Sequence, residues 1–215
     1  AGTLPPAIGQ HIGFSTWGTK AEFRQLEVKD RQYSLTSLKS SDNDFARAFA
    51  SNMPNIVVLN TASQSALTAA FAKLQTLKTA YPGVEISVFG YMEWMPYTNQ
   101  HLQNFHRYNV YLPAPFYTNL ERPLAKCLET KYRQNFHQDM INILPRFALT
   151  GFDHAAFFLR GLHKFGASFD GSAGSLTQEP AQTPLRFERV GVGGYQNRSY
   201  MFVHYKPDGI ETITY

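Results

Sequence analysis

One continuous stretch decides the fold expected for this chain of 215 residues. Residues 55–90 read NIVVLNTASQSALTAAFAKLQTLKTAYPGVEISVFG. The unbroken apolar run at 56–59 is typical of a strand buried on both faces. Residues 63–80 repeat apolar side chains with helical spacing, and 84–89 form a second β-prone run. A strand, a connecting helix and another strand in this order predict a parallel pair with a crossover connection.

The same alternation continues on both sides of this stretch. Further strands are predicted at 11–16, 33–38 and 110–116, and further helices at 123–136 and 152–165. Pro113 and Pro115 interrupt the strand at 110–116 and favour an edge position, because proline cannot donate to a ladder. Cys127 lies in the apolar pattern of the helix at 123–136 and is interpreted as a small core residue.

The C-terminal part changes in character. Lys206-Pro207-Asp208-Gly209 separates two alternating runs and predicts a β-hairpin over 200–214. We therefore expect a single α/β domain over 1–215, with an open, mainly parallel sheet and helices on both faces, plus a C-terminal hairpin. Its parts are a linker at 1–10, a βαβ core at 11–166, a mobile loop at 167–185 and terminal strands at 186–215.

Composition excludes several classes of protein. Hydrophobic residues make up 43% and aromatic residues 14% of the chain, which is unlike a disordered polypeptide. The net charge is +4, with no block of five or six basic residues, which argues against a nucleic-acid partner. The longest apolar runs are far shorter than the ~20 residues that cross a bilayer, so no transmembrane segment is expected.

The residues that usually mark catalysis or metal binding are sparse. The single cysteine excludes an internal disulfide and a cysteine-based zinc site, and no two of the seven histidines have i, i+4 spacing. Neither a Gly-x-Ser-x-Gly elbow nor a Walker loop occurs. We expect no cofactor, no metal and no enzymatic activity; a hydrolase that uses Glu93 or Asp153 with a histidine stays open as an alternative.

Candidate binding residues follow two neighbouring strands of the predicted sheet. Ligands of open parallel sheets bind just past the carboxyl ends of the strands. Glu93 follows one strand, beside Tyr91 and Trp94; its carboxylate is expected to pair with a cationic ligand group, to lie in water at the rim, or to form a salt bridge with an internal arginine. Thr61 and Ser63 follow the preceding strand, where they cap the next helix or bind a ligand carboxylate.

Asp153 is the second carboxylate of interest. It comes directly after Gly151 and Phe152 at the predicted start of a long helix. A carboxylate at that position caps free backbone amides and complements the helix dipole, or it contacts a ligand directly.

Taken together, these motifs resemble the C-terminal lobe of type I periplasmic binding proteins, the branched-chain amino-acid-binding group. The matching stretches keep the order and spacing of that family. They are Asp42-Asn43-Asp44-Phe45, residues 55–59, 88–94 and 111–117, Gly151-Phe152-Asp153, and residues 193–197. The sequence of these motifs is most similar to that of envelope proteins in which such a domain follows LysM peptidoglycan-binding repeats.

The resemblance implies a set of ligand contacts. In the family, the acid that follows the glycine at the end of this strand contacts the ligand amine, which corresponds to Glu93. The segment after the preceding strand also contributes, which corresponds to Ala62 with Thr61 and Ser63. An aromatic residue at the start of the later helix corresponds to Phe152, where the family often has tyrosine. The residues that bind the ligand carboxylate lie mainly in the other lobe.

The sequence therefore predicts a non-catalytic, extracytoplasmic ligand-binding domain for an amino acid, a peptide or a similar small molecule. Its expected location is the periplasm or the cell envelope, with a second lobe or LysM repeats upstream. The alternative is an interaction or structural module of the cell envelope that keeps the fold without a small-molecule ligand. In that case, Trp94 and Tyr97 would form a partner surface.

Overall fold

The computed structural model of this protein describes residues 34–171 and 179–215. The predicted strand at 11–16 lies outside these residues. The elements, in chain order, are α1 (Asp42–Ala46), β1 (Asn55–Val58), α2 (Gln64–Ala80), β2 (Ile86–Phe89), a 3₁₀ helix (Met92–Tyr97), α3 (Thr98–Arg107), β3 (Tyr111–Ala114), α4 (Pro123–Phe136), α5 (Phe147–Phe165), a 3₁₀ helix (Gly166–Ser168), β4 (Phe187–Arg189), β5 (Tyr195–Asn197), β6 (Met201–Lys206) and β7 (Gly209–Thr214).

Within the described residues, the main sheet has five strands in the order β1-β2-β3-β6-β7. β1 pairs with β2 in parallel from Asn55↔Ile86 to Val58↔Phe89, and β2 pairs with β3 in parallel at Phe89↔Tyr111. The predicted α/β class, the parallel pairing of the strands near 56–59, 84–89 and 110–116, and the C-terminal hairpin are confirmed, with the turn at Pro207 and Asp208. β4 and β5 form a separate antiparallel pair.

The crossover helix α2 forms as its sequence pattern predicts. Its buried side chains recur every three or four residues and are Leu67, Ala70, Phe71, Leu74 and Leu77. The ring of Phe71 stacks on Tyr108, with centroids 5.7 Å apart, and also meets Phe105 of α3. Full burial of a leucine or phenylalanine stabilises a fold by about 1.5–3 kcal/mol. The buried side chains of α2 and these aromatic rings therefore form much of the core of this part of the chain.

The chain forms two compact units. Among the described residues, the first unit runs up to Leu112 and includes His204–Glu211; the second comprises Pro113–Val203 and Thr212–Tyr215. The assignment of 1–215 to a single domain stays a prediction.

The predicted strand at 33–38 is wrong for the residues that the structure describes. Residues 34–37 have no regular secondary structure, and a turn begins at Leu38. The hydroxyl of Ser37 accepts a hydrogen bond from the amide of Lys39, and the Ser37 carbonyl accepts one from Ser40. Such local serine bonds compete with a β-ladder for the backbone.

The edge position predicted for the strand at 110–116 is also wrong. β3 is the central strand of the sheet, between β2 and β6. Its bond to β2 is made by the Tyr111 carbonyl, which accepts from the amide of Gly90. Pro113 lies two residues beyond that pair, so its missing N–H interrupts no bond to β2.

β1 is less buried than its sequence predicts. Residues 56–59 are half-buried rather than enclosed on both faces, and β1 is the outermost strand of the described sheet. A cavity of about 490 Å³ lies along it, lined by β1, by residues 34–39 and by Phe45 and Phe49. The apolar residues 56–59 therefore line this cavity in addition to contributing to the core.

Two predictions for the second unit are corrected. Cys127 is exposed, because α4 buries only Ala125 and turns Cys127 toward solvent. Within the predicted mobile loop, Ala181 and Gln182 are fully buried, so this part of the loop is held inside the unit.

His204 of β6 makes the stability of the first unit depend on pH. Its ring stacks on Tyr111 at 3.8 Å, and its buried Nε2 has no hydrogen-bond partner among the described residues. Burial lowers the pKa of His204, with opposing effects from Glu211 and Asp208. The unfolded chain therefore binds a proton at higher pH than the folded chain. The stabilisation is complete above the ordinary histidine pKa of about 6.5 and is lost as pH falls below it.

We expect the free energy of unfolding to fall between pH 7.5 and pH 5, and to fall less in His204→Phe, which keeps the ring stack but cannot titrate. Urea unfolding at a series of pH values measures this, with the exposed His163→Gln as the control. Identical pH profiles for the wild type and His204→Phe would contradict the assignment.

Candidate functional site

The carboxyl ends of β1 and β2 bring two loops together at one edge of the sheet. The indole Nε1 of Trp94 donates to the carbonyl oxygen of Thr61 at 2.9 Å. The hydroxyl of Tyr91 donates to Oδ1 of Asn60 at 3.3 Å. The segment after β1 and the segment after β2 are therefore joined directly, as expected for parallel neighbours whose strands end on the same edge.

Trp94 is the side chain that holds this junction. It is fully buried, and its ring meets Tyr91 edge-on with centroids 6.0 Å apart. Gly90, at the end of β2, allows the close approach: a Cβ atom there would lie 2.2 Å from the indole ring. The 3₁₀ helix that follows Tyr91 thus packs Trp94 directly against the backbone of Gly90.

The burial of Trp94 corrects one expectation for the site. Its ring was expected to offer a flat face to a ligand or to a partner protein, but it has no exposed surface. The large apolar neighbours Phe105 and Tyr91 enclose it. Tyr91 and Tyr97 remain half-exposed, so the accessible aromatic groups at this edge are tyrosines.

Glu93 lies between Tyr91 and Trp94 in the same 3₁₀ helix and is half-buried. Among the described residues, its carboxylate has neither a hydrogen bond nor an ion pair. A bound cationic group would give this carboxylate a partner of opposite charge. Of the three interpretations left open by the sequence, the salt bridge to an internal arginine is absent from the described chain.

The loop after β1 carries the start of α2. The Oγ1 of Thr61 accepts from the amide of Ser63 at 3.0 Å, while the Ser63 side chain makes no capping bond to the helix and instead lies 3.0 Å from the Ser65 hydroxyl. The first turn of α2 contains no acidic residue. Ala62 is half-buried between these two polar residues. The amino end of α2 is thus left without a side-chain cap, two residues after the Thr61 carbonyl that accepts from Trp94.

Phe152 and Asp153 belong to the second unit and lie in the interior of α5, which begins at Phe147 rather than near 152. Asp153 is buried and does not cap its own helix. Its Oδ1 accepts from the amide of Ala181 at 2.7 Å, and its Oδ2 accepts from Gln182 and Thr183 at 2.9 and 2.7 Å. Burial raises the pKa of Asp153, and the three backbone bonds oppose that shift.

A buried polar network around Gln182 was not predicted. Its side-chain oxygen accepts from the amide of Arg146 at 2.9 Å and from the hydroxyl of Thr118 at 2.8 Å, and its Nε2 donates to Thr150 at 2.7 Å. The Arg146 guanidinium pairs with Glu129 at 2.5 Å. The only feature of the sequence that points to an ordered segment here is the pair Pro180 and Pro184, because proline restricts the backbone conformation on both sides of residues 181–183.

Within residues 34–171 and 179–215, no group of three or more histidine, cysteine or acidic side chains is placed to hold a metal ion. Among the helices in the same ranges, none is both long and apolar enough to cross a membrane.

The Gly90–Trp94 contact should be sensitive to a single methyl group. We expect Gly90→Ala to lower the free energy of unfolding by about 1–3 kcal/mol, the usual cost of overpacking a core. Gly83→Ala is the matched control, because a Cβ at Gly83 meets nothing within 4 Å. Urea unfolding of both variants measures the difference, and equal stability would contradict the role given to Gly90.

Asp153 should be required as an acceptor for three amides. We expect Asp153→Asn to reduce the free energy of unfolding by about 2–3 kcal/mol, because the asparagine NH₂ group would face backbone donors and leave at least one of them unsatisfied. Asp139→Asn, which removes an exposed ion pair with Arg133, should cost less than about 1 kcal/mol. Thermal and urea unfolding compare the two, and a smaller effect at residue 153 would refute this account.

No protein-family model matches the chain, and a search of curated proteins gave no significant match.

Proposed function

We propose that this chain is a non-catalytic, extracytoplasmic ligand-binding domain, one lobe of a type I periplasmic-binding-protein fold. Its ligand is an amino acid, a peptide or a similar small molecule with an ammonium group. The observation that carries the proposal is the half-buried carboxylate of Glu93, which has no partner in the described chain and follows β2 where the loops after β1 and β2 are joined.

The chemistry of this edge suits an ammonium group beside polar acceptors. Glu93 supplies the negative charge, and Asn60 and Tyr91 supply an amide and a phenol that already contact each other. A charge-assisted bond to a carboxylate is roughly twice as strong as a neutral hydrogen bond. An amine would therefore be favoured at this edge over an uncharged group of the same size.

The start of α2 supports binding of a second polar group of the ligand. Free amides at a helix amino end attract carboxylates. Thr61 and Ser63 lie at this end, and Thr61 also holds the tryptophan that connects the two loops. A ligand with both an amine and a carboxylate could thus reach Glu93 and the α2 terminus together.

The proposal places the domain in the periplasm or the cell envelope, with a second lobe or LysM repeats upstream, and it rests on the family resemblance for both statements. The alternative, an envelope module without a small-molecule ligand, relied on a surface formed by Trp94 and Tyr97. Trp94 is fully buried, which removes the larger part of that surface. The ligand-binding proposal depends on Glu93 and the amino end of α2 and does not need an exposed Trp94 ring.

The test uses the 215-residue protein and a defined panel of amino acids, di- and tripeptides, and muropeptides. Thermal-shift screening identifies binders, and isothermal titration gives their affinities. We expect Glu93→Gln to weaken binding about tenfold or more while leaving the thermal stability of the free protein unchanged, because only the charge is lost.

Glu85→Gln is the matched control, since Glu85 is an exposed carboxylate just before β2, at the opposite end of that strand. Its affinity for the same compound should equal that of the wild type. Equal affinity in Glu93→Gln, or a panel in which no amine-bearing compound binds, would refute the proposal.

A further inference from the structure

Helix α5 is apolar on two opposite sides. One side is buried and includes Leu149, Phe157 and Gly161. The other side carries five large apolar side chains, which we call the α5 stripe: Phe147 (69% exposed), Phe158 (42%), Leu159 (66%), Leu162 (52%) and Phe165 (38%). At 100° per residue, the stripe covers an arc of roughly 120°.

A contiguous group of large apolar side chains left exposed on one side of a helix is typical of an interaction surface. The exposed fractions of the α5 stripe amount to between two and three whole side chains. At about 180 Å² for a large apolar residue, this is roughly 500 Å² per copy. Two such surfaces in contact would bury roughly 1,000 Å², which is the lower limit for a specific protein interface.

We propose that the α5 stripe is the interface between two copies of this chain, packed as an antiparallel, two-fold symmetric helix pair. Ala155 lies at the middle of the stripe, and Gly151 and Leu159 lie four residues on either side of it. A two-fold axis at Ala155 therefore sets Leu159 of each copy over Gly151 of the other. A Cβ built on Gly151 meets nothing within 4 Å, so there is open space for a partner side chain.

The charges around the stripe agree with this arrangement. Arg160 and Lys164 fall outside the arc of the stripe, so no like charges meet along its centre. Antiparallel packing also sets the amino end of each α5 beside the carboxyl end of its partner, which is favourable for the helix dipoles.

Two of the stripe residues are already held in place. Phe158 contacts the rings of Phe169 and Phe187, at centroid distances of 6.1 and 5.8 Å, and Phe165 stacks on Phe169 at 6.2 Å. Rigid aromatic side chains lose little conformational freedom on binding and are the usual anchors of interfaces.

The first experiment measures the oligomeric state of the 215-residue protein by sedimentation velocity and light scattering over a concentration series. We expect a dimer at about 50 µM, which exceeds the dissociation constant of a micromolar complex. Leu159→Glu should raise the dimer dissociation constant at least about 100-fold, because two buried charges would face apolar surface. Val192→Glu is the control: Val192 is fully exposed and lies outside α5, so its variant should dimerise as the wild type does.

The second experiment locates the symmetry axis. In a Cys127→Ser background, Ala155→Cys should form an intermolecular disulfide under mild oxidation, because the two copies of residue 155 meet at the axis. Thr130→Cys, on an exposed position of α4, should not cross-link.

Either of two results would overturn the proposal. One is a monomer at every concentration, including one that binds anionic phosphatidylglycerol vesicles through the stripe, since the face would then serve a lipid surface. The other is a dimer that Leu159→Glu leaves intact and that Ala155→Cys does not cross-link.

Discussion

The indole of Trp94 lies against the bare backbone of Gly90 and donates to the carbonyl of Thr61. This one contact joins the loop after β1 to the loop after β2, and the candidate site depends on it. A tryptophan with a satisfied N–H buries a large apolar area at no polar cost. The surrounding rings of Tyr91 and Phe105 make the junction rigid. Glu93 lies between these anchored neighbours and has no partner within residues 34–171 and 179–215.

The second unit depends on a different constraint, a buried carboxylate. Asp153 accepts hydrogen bonds from three consecutive backbone amides at 181–183 and so holds this short segment against α5. Gln182, in the middle of that segment, then satisfies its own buried amide through Arg146, Thr118 and Thr150. A buried polar network of this kind is stable only when all its members are paired, and here they are.

Much of the fold was predictable because hydrophobic periodicity is local. Strand β1, helix α2, strand β2, helix α4 and the turn of the hairpin lie where their patterns predict. The predictions were wrong where the position of a strand in the sheet, or the burial of a side chain, depends on contacts with distant residues. The strand with Pro113 takes the centre of the sheet because its ladder to β2 ends before the proline. Cys127 follows an apolar periodicity, yet α4 buries a different residue, Ala125.

The sequence alone determined the order of strands and helices, the parallel pairing, and the gathering of residues 61–63 and 91–94 at one edge, since strand direction in a βαβ unit follows from its connections. Only the tertiary structure decided which of these side chains face outward. It buried Trp94, left Glu93 without a partner in the described part of the chain, and placed Asp153 against the distant segment 181–183. Burial and pairing depend on residues far apart in the chain, whose spacing in the sequence carries no record of their contact.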